Sequence, residues 1–284
     1  MESHRLHWGL PQWVAFLREK DIPIMPRSKE MIDALDVDAS SPKDMARIVM
    51  QDPFLGLRLL RRAERHRSQT LGHDTTTVLG AVLQVGVRGL HNAVADSPLC
   101  DDGNAGLVGC EARAVLSARI ALDWAAHRVD VSPDEVALAA LLGEIGELMV
   151  WAFFPELPQR CLDELKSGRA SRNAQAQQQV AGFTFKQLSI ALIEAWALPT
   201  LIMQLVRGAD TPRANIARIA TDAARHLQAN PRNPALPDDV IGVKAYLPGV
   251  GWEALLATLP IDDDYRESVL GIVTGSGQDL PSDY

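Results

Sequence analysis

Prolines in this chain repeatedly follow a side chain suited to capping a helix. Ser41-Pro42-Lys43-Asp44, Asp52-Pro53 and Ser132-Pro133 all show the arrangement. Proline is tolerated at the first helical position, where its missing N–H would have no partner and its fixed φ already suits a helix. The Ser or Asp before it can accept backbone N–H bonds from the first turn. Asp44 at the third position makes the first example a close relative of the capping box. The chain therefore reads as a succession of helices whose starts are marked.

Apolar spacing between those marks agrees. Trp13, Val14, Phe16 and Leu17 form one face after Pro11, and Met45, Ile48 and Val49 form another. Phe54, Leu57, Leu59 and Leu60 point one side of the next helix inward. Ile22-Pro23-Ile24-Met25-Pro26 is an extended connector, because each proline pushes its predecessor out of the helical region. Ser28 is expected to cap a short helix holding Met31, Ile32 and Leu35. Thr75 to Leu90 is rich in β-branched residues, yet its apolar positions recur every three or four residues, which favours helix. Gly80, Gly86 and Gly89 would each weaken that helix by about 1 kcal/mol, and they predict close approach of another helix. Two long helices are expected over 111–127 and 133–154, with further helices over 183–196, 216–227, 248–259 and 262–273 and a frayed tail over 276–284. The expected fold class is all-α, a multi-helix bundle without a 20–50-residue repeat.

Charge narrows the partners. The chain carries a net charge of -8, yet residues 1–70 hold 12 Lys and Arg against 10 Asp and Glu. A duplex-binding protein usually shows the opposite overall balance, so nucleic acid is not an expected direct partner. Cys100, Cys110 and Cys161 are odd in number and lack a C-x-x-C pair, which fits neither a disulfide framework nor a zinc knuckle. Residues 1–10 contain no apolar signal core. The apolar stretch 136–154 is interrupted by Glu144 and Glu147, so a buried core helix is expected there rather than a membrane span. These features together predict a cytoplasmic protein.

Five landmarks in order then resemble the HDOD domain, a bacterial signalling-output relative of the HD-type metal phosphohydrolases. They are Ile22-Pro23-Ile24-Met25-Pro26, Met50-Gln51-Asp52-Pro53 with Leu55, Leu59 and Leu60, and Ala81 with Val85-Gly86 and Leu90. Ala140-Leu141-Leu142-Gly143-Glu144-Ile145-Gly146 and Trp196-Ala197-Leu198-Pro199 complete the set. The resemblance covers residues 10–210. It implies an N-terminal helical part over about 10–95, an HD-like core over about 110–210, and C-terminal helices over 211–275 packing on that core. Glu64 stands where the family tends to place Asn.

An HD hydrolase gathers several imidazoles and carboxylates from different helices around one ion, which then activates water. By this resemblance, Gly143 and Glu144 occupy the positions of the family's His-Asp dyad, and glycine offers no ligand. Arg113 lies where metal-binding relatives carry His, and Val206-Arg207-Gly208-Ala209 replaces a further His pair. The expectation is no metal, no cofactor and no metal-dependent phosphohydrolysis. His73-Asp74 is the chain's only His-Asp dipeptide and falls at a loop-to-helix boundary, where Asp74 or a neighbouring Thr is expected to cap a helix. Glu144 and Glu147, three apart, read as a polar helix face or a buried salt-bridge set.

Arg58, Arg61, Arg62, Arg65 and Arg67 crowd the end of one helix, where cations offset the helix dipole on an exposed face. Arg58, Arg61, Arg62 and Arg65 are nonetheless a candidate interaction patch. The resemblance implies a non-enzymatic output or scaffold module that contacts protein partners. Two alternatives are a sensor of a nucleotide or other anion in the vacated cleft around Arg113, Arg119, Glu144 and Glu147, and a divergent phosphohydrolase.

Overall fold

The computed structural model describes residues 3–37, 39–70 and 74–276. In chain order its helices are α1 (Leu10–Arg18), α2 (Pro26–Asp33), α3 (Pro42–Val49), α4 (Pro53–Thr70), α5 (Val78–Val85), α6 (Val87–Ala95), α7 (Ala105–Ala125) and α8 (Pro133–Leu142). They continue as α9 (Ile145–Phe153), α10 (Glu156–Lys166), α11 (Asn173–Ala181), α12 (Phe185–Ala195), α13 (Thr200–Arg207), α14 (Pro212–Ala229), α15 (Leu236–Lys244), α16 (Trp252–Ala257) and α17 (Asp263–Ser276). Among the described residues the only β pairing is an isolated bridge between Ile24 and Leu99. The fold is all-α.

Several starts follow the local chemistry directly. Pro42, Pro53, Pro133 and Pro212 each begin a helix. Ser41 Oγ accepts the Asp44 N–H at 3.2 Å, and Thr211 Oγ1 accepts the Ala214 N–H at 3.3 Å. Ser28 behaves differently from its expected role. Pro26 starts α2 two residues earlier, with Met25 as the cap residue, and buried Ser28 instead hydrogen-bonds Asp52. The segment 75–90 is helical but not one helix. Gly86 adopts φ +80 between α5 and α6, which bend by 94° relative to each other. That φ is strained for residues with a Cβ, so Gly86 makes a corner rather than a close helix contact. The long helix expected over 133–154 is also interrupted, at Gly143-Glu144.

The chain forms two compact units. The first comprises residues 1–115 and 141–203, and the second residues 116–140 and 204–284. In the first, α4 packs on α5, α9 on α12 and α1 on α12. Trp13 and Leu17 of α1, Phe54, Leu57 and Leu60 of α4, and Leu188 and Leu192 of α12 are buried there. Each such side chain contributes about 1.5–3 kcal/mol of transfer free energy relative to exposure. Gly146 sets the α9–α12 contact. A Cβ at that position would lie 2.6 Å from both the Phe185 carbonyl oxygen and the Ser189 nitrogen, and the Gly146 N–H donates to Ser189 Oγ at 2.9 Å.

In the second unit α14, α15 and α17 pack together, burying Ile216, Ala220, Val240, Val243 and Val269. Trp124 is fully buried and donates its indole N–H to the Leu255 carbonyl at 3.1 Å. The stretch Pro133–Phe153 is long and apolar enough to pass for a membrane span, but 78% of it is buried within the protein, as a core helix would be.

Candidate functional site

The interruption after α8 positions Gly143 and Glu144, the residues that the resemblance aligns with the dyad. Glu144 takes φ -104 and ψ 14 as the cap residue of α9, and Glu147 lies in the first turn of that helix. Both carboxylates therefore sit at the positive end of the α9 dipole. Arg113, midway along α7, meets them both. Its Nε donates to Glu144 Oε2 and its Nη2 lies 3.0 Å from Glu147 Oε2, with Nη2 3.4 Å from Cys110 Sγ. The three side chains are 12%, 4% and 21% exposed respectively. Burial opposes the Arg113 cation, yet Cys110, Glu147 and Glu144 outweigh it and hold the guanidinium above its ordinary range. Arg119 is exposed and is not part of this cluster.

A catalytic divalent metal does not fit these residues. Gly143 has no donor, and the Glu144 carboxylate is engaged by a cation. Among the described residues no group of three or more His, Cys, Asp and Glu side chains is placed to hold a metal ion. Cys100, Cys110 and Cys161 are buried and form no disulfide among the described residues, and burial pushes the Cys100 and Cys161 thiols up to about 12, far from a reactive thiolate.

A second ion pair, between a half-exposed arginine and a buried glutamate, lies two residues earlier on α7. Glu111, fully buried, accepts from Arg27 Nη2, which also donates to the Gln51 carbonyl at 3.1 Å. Glu111 Oε2 is buried without a hydrogen-bond partner among the described residues. Beside it, Asp52 Oδ1 caps α4 by accepting the Phe54 and Leu55 N–H groups, and Oδ2 accepts the Met25 N–H at 2.8 Å. This gives the Gln51-Asp52-Pro53 motif its physical role: it joins the extended connector to the start of α4. The Arg27–Glu111 pair is 84 residues apart in sequence, and no local pattern announces it.

The arginine-rich end of α4 is only partly a solvated face. Arg58 is 18% exposed and is held by Asp21 at 2.5 Å and by the Ile22 carbonyl. Arg61 is half-buried, its guanidinium 5.1 Å from the centroid of the Trp196 ring. Arg62 has a buried Nε with no partner among the described residues, and Arg65 is exposed. The side chains of His66 and Arg67 lie outside those described. Trp196 itself donates its indole N–H to the Arg18 carbonyl at 3.2 Å. Glu64, which departs from the family's Asn, is buried and accepts the Thr75 N–H at 3.3 Å. His73 lies outside the described residues. The cap of α5 is Thr77, whose Oγ1 accepts the Gly80 N–H at 3.1 Å.

Comparison with known proteins finds no match among curated sequences. Among solved structures the chain is similar to a virulence factor from Campylobacter jejuni at 16% identity and a TM-score of 0.69, covering 90% of this chain and 98% of that one. It is also similar to the MmoQ response regulator from Methylococcus capsulatus, at 17% identity and a TM-score of 0.63, covering 89% and 99%. At such identities the likeness is one of fold. The model of the HDOD domain matches residues 22–212, about two thirds of the chain. This protein belongs to the HDOD domain family.

Proposed function

We propose that this protein is a non-enzymatic signal-transduction output module that acts by contact with protein partners. The observation that carries the proposal is the replacement at the dyad position. Where a hydrolase needs open carboxylates and imidazoles, this chain has a glycine and a glutamate committed to Arg113. An ion pair between helices serves the packing of the first unit rather than the activation of water. The response-regulator name of one structural neighbour points toward signalling as well.

The test has two arms. Purified protein supplied with Mn, Fe, Ni or Zn is assayed against p-nitrophenyl phosphate and its bis ester. Hydrolysis at the metal-only background is expected, and a rate above it that disappears in Glu144→Gln overturns the proposal. Cross-linking in native cytosol is then compared between the wild type and the charge reversal of Arg61, Arg62 and Arg65. Loss of specific protein adducts is expected, and adducts that all persist remove this patch as the contact surface.

A further inference from the structure

Beside the α4 arginines lies a half-open cleft of about 470 Å³, lined by Arg18, Glu19, Arg61, Glu64, Arg65 and Trp196 with the backbone around Ala197. Its volume lies in the range of ordinary ligand sites. It is separate from the Arg113 cluster and takes no part in the dyad position. We infer that this cleft receives a carboxylate-bearing segment of a partner protein, with the Arg61 guanidinium as its principal donor.

Arg61 carries the argument. A guanidinium offers five N–H donors in a planar fork that matches a carboxylate. Arg61 is half-buried, yet among the described residues it donates no hydrogen bond and forms no ion pair. Its one close contact is the face of Trp196. The cation–π contact holds the guanidinium over the ring and leaves its N–H donors to a ligand. Burial, Arg65 and Arg58 together push this group down to about 10, against the weaker pull of Glu19 and Asp21. An incoming anion would relieve all three effects.

The charge of the lining selects the class of anion. Three arginines face two glutamates, a surplus of one positive charge. Arg18 and Glu19 pair at 2.7 Å and largely cancel, and Glu64 already accepts the Thr75 N–H. One surplus charge matches one carboxylate, whereas a phosphate dianion would leave negative charge unmatched beside Glu19 and Glu64. Trp196 is only 9% exposed and Arg61 lies over its ring, so a nucleobase finds no open face there. An acidic side chain on a peptide satisfies both conditions.

The occupant rests on the proposed role in protein contact, and the test separates the two. The probe is an N-acetylated, C-amidated tetraglutamate peptide, titrated into ¹⁵N-labelled full-length protein at physiological salt. The signal followed is the Trp196 indole N–H, assigned by its loss in Trp196→Phe. A saturable shift is expected, with affinity at least tenfold weaker in Arg61→Gln and at least threefold weaker in Arg61→Lys, which keeps the charge but loses the fork. Arg47→Gln, at an exposed surface pair on α3, should stay within twofold. Arg61→Lys decides the matter if Arg61→Gln fails to fold. Wild-type affinity in the Arg61 variants, equal binding of tetralysine, or displacement of the peptide by equimolar inorganic phosphate would each overturn the assignment. None of these results alters the hydrolysis assay, so the cleft can fail while the non-enzymatic reading stands.

Discussion

Replacing Arg113 with methionine tests the central contact directly. The side chain is only 12% exposed and faces Glu144, which is 4% exposed, so solvent screens the pair weakly. Methionine keeps the unbranched stem but removes the cation. Glu144 then holds a buried negative charge without its Arg113 partner, and breaking one side of a buried pair costs about 3–5 kcal/mol. Glu147, 21% exposed, can turn toward water and adds less. A domain has about 5–15 kcal/mol of net stability, so the loss should be large. The assay is urea unfolding followed by circular dichroism, with midpoints converted through an unchanged m value. The double variant Arg113→Met/Glu144→Leu completes the test, because a buried pair replaced by apolar side chains of similar volume is often near neutral. It should return to within about 1 kcal/mol of the wild type. A single variant costing under about 1 kcal/mol, or a double variant no better than the single, would show that the contact is solvated and refute the reasoning.

Glu111→Gln should make the protein less sensitive to alkaline pH. Burial, opposed by Arg27 and reinforced by Asp52, raises this carboxyl from 4.5 to about 7. A raised folded value means that its stability is fully present below 4.5 and lost as pH climbs through 7, so the variant should gain on the wild type by about 2–3 kcal/mol between pH 5 and pH 8; parallel pH curves would contradict this. Gly146→Ala should destabilise by about 3 kcal/mol, because the new Cβ meets backbone atoms of α12 that cannot step aside. Gly182→Ala, at φ +76 in open space, should cost only about 1 kcal/mol for its left-handed backbone, and equal melting temperatures for the two variants would contradict the packing argument. Asp52→Ala removes a buried acceptor of three backbone N–H groups and should cost about 3 kcal/mol in denaturant unfolding; a loss under about 1 kcal/mol would mean that water replaces it.

The helical architecture was legible because its signals are local. Ser41 with Asp44, and the prolines at 42, 53 and 133, act within one turn, so four residues suffice to place a start. Ser28 misled for the same reason. Ser and Asp are good caps wherever they precede an apolar run, but Pro26 had already begun the helix and Asp52 claimed the hydroxyl. The break at Gly143-Glu144 left no mark in the apolar pattern, because Leu141, Leu142, Ile145 and Leu148 are all buried on both sides of it. Burial all round a helix erases the amphipathic periodicity from which a boundary could be read.

The candidate site divides along the same line. That residues 143 and 144 are not a His-Asp pair is visible in two letters, Gly143 and Glu144, because a missing donor is a property of one residue. The contact made at Glu144 is a property of three residues on two helices. Arg113 lies 31 positions before Glu144, and the two meet only because α7 passes the turn between α8 and α9. The sequence grouped Arg113 with Arg119, Glu144 and Glu147 as a possible ligand cleft. The geometry joins the first, third and fourth as mutual partners and leaves Arg119 outside the cluster. Arg61 shows the opposite case. Its sequence neighbourhood of like charges resembles any solvated helix end, and it is the ring of Trp196, 135 residues away, together with its half-buried position that distinguishes it from exposed Arg65 one turn on. A cation held over a ring, with no acceptor among the described residues, is a more specific recognition element than a run of arginines. The proposed contact therefore rests on one placed side chain rather than on the total charge of the patch.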